Sequence, residues 1–144
     1  MIVPDANLLL YAHDSHSRFF EPASQWWESC LSGTEPVGLC HAVVFAFVRI
    51  STSSRIYADP LSLDAAAQHV RTWQERRVTR ILLPDAEHHS VVFELLRKAG
   101  STGGNLVTDA QIAATALAYR GTVHTADQDF RRFSGLDCHY PLQG

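Results

Sequence analysis

Ile2-Val3-Pro4-Asp5-Ala6-Asn7-Leu8-Leu9-Leu10-Tyr11-Ala12 opens the chain and decides its fold class. Ile2-Val3-Pro4 is a short apolar run of strand type. Asn7 to Ala12 reads as helix, so Asp5 sits at a strand-to-helix junction. In open α/β sheets, functional sites collect at the carboxyl ends of strands. An acid at that junction is therefore a candidate site residue as well as a candidate helix cap.

The rest of the chain repeats the alternation. Apolar residues recur at helical intervals from about Arg18 to Leu31, and Gly33 stops the run. Residues 36–40 read as a second strand and His41 to Thr52 as a largely apolar helix. Ser62 caps a helix expected to reach about Arg77. Val78 to Leu83 follows as a third strand, and Asp85 is read as the cap of a helix from Ala86 to Ala99. Residues 100–104 form a Gly/Ser/Thr link before an Ala-rich helix from about Leu106 to Arg120. Thr122 to Thr125 and Leu136 to Tyr140 complete the strands. This order predicts an α/β fold with a mostly parallel sheet, and 144 residues with no long internal linker suit a single domain over 1–144. Trp26, Trp27 and Trp73 are read as helix-packing residues.

Composition narrows the function. With 46% hydrophobic residues the chain can bury a core, and no run of roughly 18 apolar residues exists to span a membrane. No signal peptide is legible, so a cytoplasmic address is expected. Cys30, Cys40 and Cys138 are odd in number and widely spaced, which suits free thiols better than disulfides or a zinc site. The net charge of −3 argues against indiscriminate coating of a nucleic-acid backbone. It leaves room for a metal centre, which itself needs carboxylates.

Three acids hold comparable places. Asp5 ends the first strand, Asp109 lies in the first turn of the Ala-rich helix, and Asp127 follows the fourth strand with Asp129 two residues on. Each has an ordinary explanation as a cap or turn residue. A parallel sheet could also gather them at one edge, where a divalent cation would offset their repulsion. An oxygen-only donor set favours Mg²⁺ or Mn²⁺, and such ions serve phosphodiester hydrolysis.

The residue strings add a resemblance. Residues 2–12 resemble the D-x-N-x-L-L-Y-A opening of PIN-domain toxins. Phe47-Val48-Arg49-Ile50-Ser51-Thr52 is similar to the F-L-R-I-S-T segment of one VapC subgroup. Gly104-Asn105-Leu106-Val107-Thr108-Asp109-Ala110 matches the G-N-L-V-T-D-A block. Thr125-Ala126-Asp127-Gln128-Asp129-Phe130 resembles the S/T-x-D-x-D-F closing motif. The four blocks fall in the family's order across nearly the whole chain.

The resemblance implies a three-layer α/β/α PIN fold around a sheet of four or five strands. It implies a Mg²⁺- or Mn²⁺-dependent endoribonuclease toxin, held in check by a VapB-type antitoxin and frequently homodimeric. Operator DNA would be contacted only through the antitoxin. Asp5, Asp109 and Asp127 become the catalytic and metal-binding acids, Asp129, Asn7 and Thr125 their support, and Arg49 a residue for substrate phosphate. Arg55, Arg131 and Arg132 could contact RNA phosphates as well but are read by default as solvated charges, and His41, though it could approach the same strand ends, as a structural or surface histidine. The family commonly carries a Glu where this chain has Ala46, and no acid lies between Glu35 and Asp59 to replace it. That loss is expected to weaken metal affinity or favour one metal over two. It also leaves open a weakly active or inactive module that acts mainly by binding an antitoxin. A phosphatase of haloacid-dehalogenase type would want a second Asp where Asn7 stands.

Overall fold

The opening apolar run is strand β1 (Ile2–Pro4) in the computed structural model, which describes residues 1–143, and it passes at Asp5 into helix α1 (Ala6–His13). The chain continues through α2 (Phe20–Ser32), β2 (Val37–Cys40), α3 (His41–Ser51), α4 (Leu63–Gln74) and β3 (Thr79–Leu82). It then forms α5 (His88–Lys98), α6 (Leu106–Ala118), β4 (Thr122–His124), a 3-10 turn (Gln128–Arg132) and β5 (Cys138–His139). The alternation expected from sequence is present. Helix α5 begins two residues later than expected, because the Asp85 carboxylate accepts from the Glu87 backbone N–H at 2.9 Å and holds a turn there instead.

All five strands are parallel, in the order β3-β2-β1-β4-β5. Every residue of β1 and β2 is buried, as expected of strands covered on both faces. Edge strand β3 leaves Arg80 and Ile81 exposed. Helices α1, α2, α3 and α4 pack among themselves, α5 packs on α6, and the sheet lies between in a three-layer α/β/α arrangement. The chain steps outward from β1 to β2 and β3, then returns to the far side of β1 for β4 and β5. The direction of travel reverses between β1 and β4, and a crevice opens beyond the carboxyl ends of those two strands.

The core is aromatic on the α3–α4 side. Phe47 is fully buried with its ring 4.7 Å from that of Trp73, and Trp73 meets Trp27 edge-on at 5.7 Å. Trp27 and Trp73 thus serve helix packing, as their spacing suggested, whereas Trp26 is half-buried, stacks on Trp27 and donates its indole N–H to His124 on β4 at 3.2 Å. Cys30, Cys40 and Cys138 are free thiols. Helix α6 ends with Arg120 in the left-handed region (φ 55°), while Gly121 N–H donates to Ala116 O at 2.8 Å and Arg120 N–H to Leu117 O at 3.2 Å. Gly121 is needed for another reason: a Cβ there would stand 2.8 Å from Val3 Cγ2, so its absence lets the chain enter β4 tight against β1. Among the described residues, no helix is long and apolar enough to cross a membrane.

Candidate metal centre

Asp5 lies at the switch point, 5% exposed, with both carboxylate oxygens engaged. Oδ1 accepts from the Ala6 backbone N–H at 2.7 Å, which caps α1, and Oδ2 accepts from the Thr125 hydroxyl at 2.8 Å. The Asp5 backbone N–H donates to His124 O at 2.9 Å, so the ends of β1 and β4 are tied together. Thr125 is fully buried. Its hydroxyl proton goes to Asp5, and its oxygen accepts from the Asp127 N–H at 2.9 Å. One hydroxyl therefore orders two acids from two strand ends.

Asp127 opens the 3-10 turn by accepting from the Asp129 N–H at 2.9 Å, and its carbonyl accepts from the Tyr140 hydroxyl at 3.2 Å. That turn brings Asp129 round to the same side as Asp127. Asp109 reaches them from the first turn of α6. Asp109, Asp127 and Asp129 each offer a carboxylate oxygen, and the three oxygens lie within 4.8 Å of one another.

The electrostatics of this group are strained. Burial pushes the Asp109 carboxyl up to about 7, with the charges of Asp5, Asp127 and Asp129 adding to the effect. Burial also raises Asp5, to about 6, against the lowering influence of its bonds from Thr125 and Ala6. Carboxyl groups held this far above 3.8 mark a place where negative charge lacks compensation. Three oxygen donors at this spacing, with no nitrogen or sulfur ligand among them, fit a hard divalent cation such as Mg²⁺ or Mn²⁺.

The acids line a cleft of about 480 Å³ whose other walls include Ser101, Asn105 and Arg132. Asp5 lies deeper, felt by Asp109 through its charge. Asn7 is half-buried in the first turn of α1, and its side chain forms no hydrogen bond among the described residues. Arg49 is exposed and lines a separate depression of about 310 Å³ with Ala46, Thr108 and Gln111. Ala46 thus shares a depression with Thr108 and Gln111 of α6, the residues that flank Asp109 in sequence. His41 is exposed and stacks on Phe45. From sequence, Arg132 could contact phosphate but reads by default as a solvated charge, and Asn105 and Ser101 are given no site role. Their nearness to Asp109 and Asp129 in sequence was the available signal, but only the turn and loop geometry turns them inward.

Known proteins share this architecture and sequence. The family model described as PIN domain matches residues 2–136. The chain is 37% identical over 143 residues to Ribonuclease VapC33 of Mycobacterium tuberculosis, covering 99% of each chain. It is 35% identical to Ribonuclease VapC37 of the same organism over 98% of this chain and 97% of that one. The structure of VapBC-1 from nontypeable Haemophilus influenzae superposes with a TM-score of 0.69, covering 99% of this chain and 100% of the other. At 18% identity that match is a likeness of fold.

Proposed function

This chain belongs to the PIN-domain family, and from that premise we propose that it is the ribonuclease toxin of a VapBC-type toxin–antitoxin pair, cutting RNA at the cluster of Asp5, Asp109, Asp127 and Asp129. The observation that carries the reading is the convergence of three carboxylate oxygens within 4.8 Å in the crevice between β1 and β4. The ribonuclease names of VapC33 and VapC37 support RNA as the substrate.

In this reading Asp109, Asp127 and Asp129 hold a Mg²⁺ or Mn²⁺ ion. Such an ion, when bound, lowers the pKa of water and stabilises charge developing on a phosphate. Asp5 faces the same centre from below, its orientation fixed by Thr125 and by the α1 cap. Thr125 donates its hydroxyl proton to Asp5 Oδ2, favouring the charged carboxylate, and aligns the Asp127 backbone by accepting from its N–H. The chain acts as one domain, with a VapB-type antitoxin as its partner and operator DNA reached only through it. An apolar groove of about 390 Å³ lined by Val44, Phe45, Val48, Leu63, Val70 and Ile81 suits an amphipathic segment of such a partner. Homodimerisation belongs to the same proposal and is read by size-exclusion chromatography with light scattering.

The test is to induce wild-type and Asp5→Asn chains and map new RNA 5′ ends. Wild type should leave 5′-phosphate and 3′-hydroxyl ends, and Asp5→Asn should lose cleavage while keeping its fold. Full activity in Asp5→Asn refutes the assignment. Ala46, in place of an acid, favours one competing reading, a binding module of little activity. Calorimetry with Mn²⁺ separates the two: no binding at millimolar metal, together with no RNA cleavage, supports the module.

A further inference from the structure

Two adjacent arginines follow Asp129, and the fold gives them different tasks. The Arg131 guanidinium lies over the Tyr140 ring, 4.7 Å from its centroid. Arg132 lines the acidic cleft itself, together with Asp109, Asp127 and Asp129. Its Nη2 donates to Ala99 O at 3.0 Å, a carbonyl left without an intrahelical partner at the C-terminal end of α5. That bond pins the guanidinium at the rim.

A guanidinium carries five N–H donors. One is taken by Ala99, and Arg132 makes no other hydrogen bond and no ion pair among the described residues. A cation anchored beside three carboxylates, yet paired with none of them, is placed for an anion that enters the cleft. The loop that follows Ala99 also lines the cleft and is polar. Gly103 N–H donates to Ser101 Oγ at 2.9 Å, and Gly100, Gly103 and Gly104 all have positive φ. The cleft holds about 480 Å³ and its walls are mostly polar, which suits a charged, hydrated ligand better than an apolar one.

We infer that Arg132 is the phosphate-holding residue of this centre, taking a backbone phosphate of the RNA strand that lies in the cleft. The inference rests on the ribonuclease reading above and adds a residue to it. Arg suits the role because its planar fork pairs with phosphate through two N–H donors while a third stays on Ala99 O.

The experiment compares steady-state RNA cleavage at several salt concentrations for wild type, Arg132→Gln, Arg132→Lys and Arg77→Gln. Gln can keep a donor on Ala99 O and removes the charge. Lys keeps the charge. Arg77→Gln removes an equal charge at the amino end of β3, away from the cleft. Arg132→Gln should raise KM about 10-fold with a smaller change in kcat. Its dependence of log KM on log salt should flatten by about 0.7, the loss of one phosphate contact on a single strand. Arg132→Lys should recover most of the salt dependence, and Arg77→Gln should match wild type. Equal behaviour of Arg132→Gln and Arg77→Gln overturns the inference. So does a defect in Arg132→Gln that tracks a fall in Tm and is not relieved by Lys, since that is the signature of a helix cap. Wild type that cleaves no RNA overturns the ribonuclease reading and takes this inference with it, whereas active wild type with an indifferent Arg132→Gln removes the inference alone.

Discussion

Replacing Asp109 with Asn should make the metal-free protein more stable at pH 8 and leave it almost unchanged at pH 4.5. The Asp109 carboxyl is pushed from 3.8 up to about 7, first by burial and then by the charges of Asp5, Asp127 and Asp129. The folded chain therefore binds this proton more tightly than the unfolded chain does. The resulting stability is fully present below about pH 4 and is lost as pH rises through about 7. A shift of about three units corresponds to roughly 4 kcal/mol if fully expressed. Asp109 is only half-buried, so solvent screening reduces this to about 2 kcal/mol. For a domain of this size that is about 6 °C in Tm. Asn has nearly the same shape and no charge, so it removes the penalty at high pH. Scanning calorimetry in a chelator at the two pH values reads the difference directly. Adding Mg²⁺ should then raise the wild-type Tm at pH 8, do little at pH 4.5, and do little for Asp109→Asn at either pH. Equal destabilisation of Asp109→Asn at both pH values would refute the charge argument, and a wild-type Tm indifferent to Mg²⁺ at pH 8 would refute the cation.

Thr125→Val removes the hydroxyl that serves Asp5 and Asp127, and should move the acid limb of the cleavage profile upward by about one pH unit, because a hydrogen bond to a carboxylate favours its charged form. Thr125→Ser should restore the profile, and a Val variant with an unshifted limb would remove Thr125 from the centre. Ala46→Glu adds a carboxylate beside Thr108 and Gln111, flanking Asp109, and should tighten Mn²⁺ binding about 10-fold in calorimetry while lowering the metal-free Tm. Unchanged affinity would mean that this position does not reach the metal. Arg120→Gly relieves a left-handed residue at the end of α6 and should add about 0.5–1 kcal/mol in urea unfolding without changing cleavage. A loss of stability instead would show that the Arg120 side chain makes a contact worth more than the strain.

The sequence carried the alternation of strands and helices because each element's apolar pattern is local. Val37-Gly38-Leu39-Cys40 is legible as a strand without knowledge of its neighbours. The order β3-β2-β1-β4-β5 was not legible, since the pairing of Ile2 with both Val37 and Thr122 is a long-range choice. Local chemistry also set the errors. The side chain of Asp85 stabilises a turn over residues that otherwise look helical, and α4 stops at Gln74 instead of continuing to Arg77. Asp5, Asp109 and Asp127 were named as acids from their places at strand and helix ends. Asp129 could be named only as support. Whether two acids separated by one residue face the same way depends on the backbone between them, and the 3-10 turn capped by Asp127 decides it here.

The same reasoning explains why charge strain and order coincide at this point of the fold. Both strand ends must be fastened where the direction of travel reverses, and Asp5 and Thr125 fasten them through buried hydrogen bonds. Burial makes the bonds count and also raises the cost of the Asp5 charge. Asp109 then arrives from a helix whose N-terminal dipole favours an acid, into a field of three other carboxylates that does not. A purely structural network would have no reason to keep Asp109 charged, because Asn would serve the helix end as well. The arrangement is economical only if something positive enters the cleft. The Asp109→Asn comparison therefore tests more than one side chain. It asks whether the instability stored at the switch point is relieved by a cation or is simply carried.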